Sequence, residues 1–310
     1  MDCTVVIATH NRAHLLTDTL RCLCAQQVPP TLRWEIVVVD NNSRDDTEET
    51  VRRFGGTSHV AIRYEFEPIQ GQSFARNRGV AVAEGAVIVF TDDDVLPNPD
   101  WVARILEAIE RDDLDGAGGR VQPRWEAAVP QWLASRSNLL PWLAVLEEDM
   151  VYMLDYPVRL RRRLVGASMA FRREVFDELG RFPTNLGHRG ARLYGGEEVE
   201  FINRLLLKGR RIRYDPSIVV SHRIGADRLR KSFFFRRHFD HACGQAQFLS
   251  SEHGRKVFGV DRWRYRRFMK STVTMVAHTA LCRPDAFSLQ LALALDAGWI
   301  WGSLRWPVER

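Results

Sequence analysis

Four short β-branched runs punctuate the first ninety residues, at 4–7, 36–39, 60–64 and 87–90. Longer stretches of helical period separate them. Leu15, Leu16, Leu20 and Leu23 make one apolar stripe, and Trp101, Ile105, Leu106 and Ile109 make another. Apolar runs without polar alternation belong to strands buried on both faces. The pattern therefore predicts an α/β layered domain over residues 1–225, with a mostly parallel central sheet covered by helices. No repeat of 20–50 residues and no Gly/Ser linker divides the chain. Residues 125–165 carry little helix or strand signal but hold Trp125, Trp132, Trp142, Tyr152 and Tyr156.

In such a sheet, ligands bind beyond the carboxyl ends of the strands. Three strand ends deliver polar clusters there: Thr9-His10-Asn11-Arg12, Asp40-Asn41-Asn42-Ser43 and Thr91-Asp92-Asp93-Asp94. Asn42 and Ser43 read as helix caps, and Asp40 has a turn-forming reading beside a ligand-binding one. Capping does not account for the three aspartates. Asn98-Pro99-Asp100 already offers an N-cap, an N1 proline and a first-turn acid to the next helix. Adjacent carboxylates repel unless a cation or an arginine offsets them, and a hard divalent ion with oxygen ligands is the expected answer.

Composition changes the picture in a few places. With 310 residues, 45% apolar and 27% charged, the chain is globular and long enough for one large domain or two ordinary ones. The net charge of +5 hides an asymmetry. Residues 1–203 hold 23 Lys+Arg against 31 Asp+Glu, whereas residues 204–267 hold 17 against 5. A basic stretch behind an acidic body points to an anionic partner: phosphate, a membrane surface or nucleic acid. Five scattered cysteines make neither a disulfide framework nor a zinc site. Residues 1–20 include Asp2, His10, Asn11, Arg12 and His14, which leaves no signal-peptide core. The expectation is a reduced, cytoplasmic chain. No GxGxxG follows the first strand, and GxxxxGK[ST], GxSxG and HExxH are absent, which argues against dinucleotide oxidoreductases and P-loop NTPases.

Several blocks in fixed order carry a resemblance. They are Val6-Ile7-Ala8-Thr9-His10-Asn11-Arg12, Val37-Val38-Val39-Asp40-Asn41-Asn42-Ser43, Ala75-Arg76-Asn77-Arg78-Gly79 and Phe90-Thr91-Asp92-Asp93-Asp94. Gly166-Ala167-Ser168-Met169-Ala170-Phe171-Arg172, Gly195-Gly196-Glu197-Glu198-Val199-Glu200-Phe201 and His222 complete the set. On these the chain resembles the family 2 glycosyltransferases of GT-A fold, from the bacterial group that builds polysaccharides and glycolipids. The match runs from Val5 to about Gly244.

The resemblance implies an inverting transfer from a nucleotide-diphosphate sugar, above all a UDP-sugar, to a hydroxyl of a saccharide, lipid-linked or small-molecule acceptor. It implies a nucleotide-binding half at about 1–122, an acceptor-side half at about 123–225 and a helical extension over 226–310. Thr9, Asn11 and Arg12 would line the base pocket, and Asp40 would accept hydrogen bonds from uracil or ribose. Arg76 and Asn77 would hold the donor and brace the aspartates. Asp92 and Asp93 would lie on the donor side, and Asp94 with His222 would hold Mn2+ or Mg2+. Relatives carry a Glu-Asp pair where this chain has Glu197-Glu198, which makes Glu198 the general base. Glu197 is then its competitor or an acceptor contact. Apart from the resemblance, Trp125 is a candidate acceptor contact because aromatic rings stack on sugar faces, with core packing as its other reading.

The residues themselves add to this. Glu198 shares a helical face with Ile202, Leu205 and Leu206, so it heads an inward stripe, while Glu200 aligns with Arg204. His222 shares a strand face with Ile218 and Val220. A metal-dependent nucleotidyltransferase and a non-enzymatic anion-binding module are the alternatives. A nucleic-acid partner is not expected, since no recognised motif accompanies the arginines.

Residues 286–306 are mostly apolar, but Asp296 interrupts them at a cost of about 2.5–3.5 kcal/mol in a bilayer centre, which disfavours a span. Two readings follow: helices packed on the catalytic domain, or helices lying on an anionic membrane at the inner face of the cell. The second is favoured by Arg262, Arg264, Arg266, Arg267 and Lys270, interleaved with Trp263, Tyr265 and Phe268.

Overall fold

The apolar runs are interior strands, as their lack of alternation predicts. The computed structural model describes residues 1–190, 192–246, 256–280 and 286–305. Its first elements are β1 (Cys3–Thr9), α1 (Ala13–Cys24), β2 (Trp34–Asp40), α2 (Thr47–Gly55), β3 (Ala61–Phe66) and α3 (Gln72–Val82). Then come β4 (Val87–Asp92), β5 (Val95–Pro97), α4 (Trp101–Arg111), β6 (Gly116–Trp125), the short α5 (Gln131–Ala134) and a 3-10 helix at Ser137–Leu143. β7 (Tyr152–Met153), β8 (Met169–Arg172), α6 (Arg173–Leu179), β9 (His188–Arg189), β10 (Arg192–Leu193), α7 (Glu197–Leu207) and β11 (Ile212–Ile224) follow. The C-terminal elements are α8 (Lys231–Ala246), β12 (Lys256–Val257), β13 (Val260–Asp261), α9 (Arg262–Ala280) and α10 (Ala286–Arg305).

Nine of the described strands form one sheet in the order β3-β2-β1-β4-β8-β6-β11-β5, with β7 on β11. β3, β2, β1 and β4 are parallel, as are β6 and β11. β8 joins the two sets antiparallel to both of its neighbours. β2 is buried along its whole length, and β1 nearly so. β3 is half-exposed, as befits an edge strand with only one neighbour.

Two local expectations change. Pro99 is not the first residue of the following helix: α4 starts at Trp101, and the Asp100 carboxylate makes no cap bond. The Asn98 carbonyl instead accepts from Trp101 N–H and from Gln26, which makes a turn of this segment. Between that turn and the aspartates lies β5, antiparallel to β11, so the aspartates are set apart along the chain from the start of α4. Residues 125–165 are more ordered than their pattern predicts, because Tyr152 in β7 stacks on Tyr214 of β11 with centroids 4.7 Å apart.

The chain divides into two compact units, Met1–Thr184 with Glu197–Ala226, and Asn185–Gly196 with Asp227–Arg310. The segment Asn185–Gly196 thus groups with the C-terminal residues rather than with the sheet. In the second unit α10 packs on α8 and α9. A Cβ at Gly298 would lie 2.3 Å from the Phe239 carbonyl oxygen, and one at Gly302 would lie 2.7 Å from that of Cys243. Only glycine lets these backbones meet. Asp296 is buried and accepts from Arg267 at 2.9 Å and Ser271 at 3.3 Å. The apolar run is therefore a packed helix with its one acid paired. Among the described residues, no helix is long and apolar enough to cross a membrane. Cys282 and Trp306 lie outside the described residues.

Candidate active site

Parallel pairing brings three strand ends to one edge. Thr9 is in register with Asp40, and Ala8 with Asp92. The three aspartates that follow β4 coexist because each has its own positive or donor partner. Asp92 accepts from Arg76 at 3.0 Å and from Gln72 at 3.3 Å. Asp93 accepts from Thr9 Oγ1 at 2.8 Å and Arg12 Nη1 at 3.0 Å. Asp94 lies 3.3 Å from Arg12 and 3.4 Å from His222 Nε2. Thr19 ties down the backbone between them, donating to the carbonyls of Asp93 and Val95.

Burial pushes the Asp93 carboxyl above the usual range, while Arg12 works against the rise and Asp94 adds to it. Arg12 in turn is held protonated more firmly than usual, chiefly by Asp93. Asp93 is therefore an interior residue whose carboxylate is held by Thr9 of β1 and by Arg12. Asp92, with its side chain 23% exposed, is the more open carboxylate.

Asp94 and His222 meet because β11 runs between β6 and β5. Its His222 lies in register with Val95 and with Pro123, and Arg223 N–H donates to the Asp94 carbonyl at 3.0 Å. Among the described residues no three His, Cys, Asp or Glu side chains converge on one point. One carboxylate and one imidazole still fit a divalent ion whose other positions are filled by phosphate and water, the imidazole being the one departure from the all-oxygen set that Mg2+ prefers.

The loops after β1 and β2 are tied to each other. Asn11 stands in the left-handed region with φ +53, its N–H donates to Ser43 Oγ, and its side-chain oxygen accepts from Arg44 N–H. Asp40 accepts from Ser43 N–H through one oxygen and from Tyr64 OH through the other, both at 2.8 Å. The turn-forming reading of Asp40 is thus realised in the fold. Asn77 differs from expectation: both ends of its amide bond the backbone of Phe182, at 2.8 and 3.0 Å. It braces the loop after α6 and not the aspartates, because α3 points successive side chains in different directions.

Arg76, one residue earlier, is the hub. Its Nη2 reaches Asp92, and its Nη1 reaches Glu197 at 2.7 Å. Gly195 and Gly196, with φ +61 and +92, lead the chain into α7, whose first two residues are Glu197 and Glu198. That terminus favours carboxylates. Glu197 is buried and engaged by Arg76, while burial and the adjacent Glu198 push its carboxyl up. Glu198 heads the buried stripe with Ile202 and Leu205, and Glu200 pairs with Arg204 at 2.8 Å, both as the helical spacing predicts.

Beneath the hub, Phe201 of α7 stacks on Phe176 with centroids 4.7 Å apart, and Phe176 meets Phe90 of β4 at 6.0 Å. This aromatic core fixes α7 against the strand that carries the aspartates, each pair adding about 0.5–1.5 kcal/mol beyond burial. Trp125 ends β6 half-buried, two residues beyond the register partner of His222. Ser168, in the block at 166–172, is fully buried and accepts from Trp101 Nε1.

The model of the family described as "Glycosyl transferase family 2" matches residues 4–180. The chain belongs to that family. A glucosyl-dolichyl phosphate glucuronosyltransferase of Haloferax volcanii is 26% identical over 244 residues, covering 77% of this chain and 72% of that protein. The succinoglycan biosynthesis protein ExoM of Rhizobium meliloti is 25% identical over 303 residues, covering 96% and 91%. Among solved structures, the mannosyltransferase PcManGT of Pyrobaculum calidifontis, in complex with GDP-Man and Mn2+, superposes with TM-score 0.63 at 20% identity, covering 99% of this chain and 88% of that one. S. aureus TarS 1-349 with UDP-GlcNAc gives 0.59 at 18%, covering 97% and 79%. The fold is GT-A, and the chain is a glycosyltransferase. Membership sets aside the nucleotidyltransferase and the anion-binding module.

Sequence reasoning gave Gly166 no role in this glycosyltransferase. A Cβ there would lie 2.2 Å from Arg76 Nη2 and 3.0 Å from its Cζ. Arg76 is buried and pinned by two carboxylates, so it cannot swing aside. Gly166→Ala is expected to destabilise the fold by about 1–3 kcal/mol, the usual range for overpacking, and to weaken nucleotide binding. Thermal unfolding and UDP titration of the variant check this. Unchanged values in both would mean the guanidinium has room that the geometry denies it.

Proposed function

We infer that the chain is an inverting glycosyltransferase, with a nucleoside diphosphate sugar, UDP-linked in particular, as donor and a hydroxyl as acceptor. Glu198 is the general base, and Asp94 with His222 holds Mn2+ or Mg2+. One observation carries the reading: a single guanidinium, that of Arg76, spans the donor-side carboxylate Asp92 and the first turn of the helix bearing Glu198. A donor at the strand edge and a proton acceptor on α7 then lie one side chain apart.

In the displacement, the acceptor oxygen forms a bond to the anomeric carbon as the bond from that carbon to the diphosphate oxygen breaks. The leaving group takes the electron pair, and Glu198 takes the hydroxyl proton. Attack opposite the leaving group inverts the anomeric centre. When bound, the divalent ion offsets the negative charge gathering on the diphosphate. Asp93 is not offered as a nucleophile for a retaining route, because its carboxylate is buried and bonded to Thr9 and Arg12. The glycosyl acceptors of polysaccharide and lipid-linked assembly named for relatives make a saccharide or lipid-linked hydroxyl the leading acceptor class.

The test is a panel of UDP- and GDP-sugars with and without Mn2+, scored for nucleoside diphosphate release, followed by NMR of the glycosidic product. Metal-dependent release of a nucleoside diphosphate and an inverted anomer are expected. A retained anomer would overturn the single displacement.

A further inference from the structure

Helix α9 contains five Lys and Arg residues and no acid, and only part of that charge is used inside its own unit. Arg267 pairs with the buried Asp296 of α10, and the Arg264 guanidinium lies over the Trp299 ring at 3.6 Å. Arg262, Arg266 and Lys270 are exposed and make no ion pair among the described residues. They recur at i, i+4 and i+8, so they form one stripe along the helix. Met269, Val273 and Val276 follow at i, i+4 and i+7 on the neighbouring line, with exposures of 58%, 70% and 56%. One side of α9 thus carries a basic stripe beside an apolar one, while another side meets α10.

The hairpin that leads into α9 supplies a second observation. β12 and β13 are joined by the two-residue turn Phe258-Gly259, both in the left-handed region at φ +50 and +79. Such a turn favours Asn-Gly, and an aromatic residue at positive φ is uncommon. Phe258 is 84% exposed, so packing does not ask for it either. α9 and α10 run antiparallel, with Asp296 beside Arg267 and Ser271, and Trp299 beside Arg264. Farther along, a Cβ on Gly259 would stand 3.8 Å from the Ser303 carbonyl oxygen. The exposed Phe258, Trp263, Trp301 and Leu304 are therefore gathered at the end of the helix pair that carries Arg262 and Arg266.

We propose that this unit docks on an anionic lipid surface, with Met269, Val273, Val276 and Phe258 entering the headgroup boundary and Arg262, Arg266 and Lys270 meeting lipid phosphates. Unpaired cations flanking an apolar stripe match such a surface, where acyl chains lie beneath a layer of negative headgroups. A second copy of the chain fits less well, because a two-fold contact would bring the same cations together. Nucleic acid would offer phosphate but nothing for the apolar stripe. α10 stays packed, as its paired Asp296 and its close glycine contacts require, so the unit lies on the bilayer without crossing it.

The test is sedimentation of the full chain with vesicles of phosphatidylcholine, alone or mixed with phosphatidylglycerol. The chain is expected to pellet with the mixed vesicles at low salt, to leave them at high salt, and to bind pure phosphatidylcholine far more weakly. Arg262→Gln, Arg266→Gln and Lys270→Gln combined should lower the partition coefficient on the order of 100-fold, from about fivefold per basic residue. Phe258→Ser and Val273→Asp, both at exposed positions, should each weaken binding with the unfolding midpoint unchanged, which separates docking from folding.

Recovery in the supernatant with mixed vesicles at low salt, or pelleting that the triple variant does not reduce, would overturn the proposal. So would a dimer that Val273→Asp dissociates, or retention on single-stranded RNA, without vesicle binding. Those outcomes give the face to a second copy or to nucleic acid. None of these readouts involves the donor or the base, so the proposal and the glycosyl-transfer reading fail separately.

Discussion

Glu198→Gln is expected to lower turnover roughly 10²–10⁴-fold while leaving UDP affinity nearly unchanged, the usual worth of a general base. The amide copies the shape of the carboxylate but cannot accept the acceptor's proton. The carboxylates proposed for the donor side do not involve it: Asp92 is held by Arg76 and Gln72, and Asp94 lies beside Arg12 and His222. Glu197→Gln should behave differently. Its carboxylate is one end of a fully buried ion pair at 2.7 Å, and removing one partner of such a pair costs roughly 3–5 kcal/mol. Loss of stability and of donor binding should accompany any loss of rate there. Steady-state release of nucleoside diphosphate, UDP calorimetry and thermal unfolding of both variants separate the two. A pure turnover defect in Glu197→Gln, with Glu198→Gln unaffected, would reverse the pair.

The parts of this site legible in the sequence are those set by local period. Continuous β-branched runs announced β1, β2 and β4, and strand polarity alone then placed Thr9, Asp40 and Asp92 at one edge. The helical repeat told Glu198 from Glu200, since one continues into Ile202 and Leu205 and the other meets Arg204.

What the sequence hid is set by long-range partners. An aspartate ending a buried strand looks alike whether its oxygens face a ligand or the protein. The partners of Asp93 lie 84 and 81 residues away at Thr9 and Arg12, and those of Asn77 lie 105 residues away at Phe182. Tyr64, which bonds Asp40, reads from sequence only as a strand residue. β8 was hidden for the same reason, because its antiparallel place between β4 and β6 depends on pairing and not on its own four residues. Gly166 marks the limit most sharply. It is a glycine whose missing Cβ makes room for a guanidinium 90 residues earlier.

Asp94→Ala is expected to abolish metal-stimulated turnover, a loss of about 10³-fold or more if the ion contributes the several kcal/mol usual for charge stabilisation at a leaving group. The fold should tolerate the change. Arg12 keeps its 3.0 Å bond to Asp93, and the repulsion between Asp93 and Asp94 is relieved, so the unfolding midpoint should move little. His222→Ala removes the imidazole 3.4 Å from Asp94 and should raise the Mn2+ concentration needed for half-maximal rate, with some activity left at saturation. This asymmetry follows from the chemistry of the two groups: the carboxylate brings charge as well as a ligand atom, while a neutral imidazole brings only the ligand atom. Mn2+ titrations of rate and of UDP binding for the native chain and both variants measure it. Full turnover of the native chain in excess EDTA, or Mn2+-strengthened UDP binding that survives in Asp94→Ala, would take the metal away from this pair.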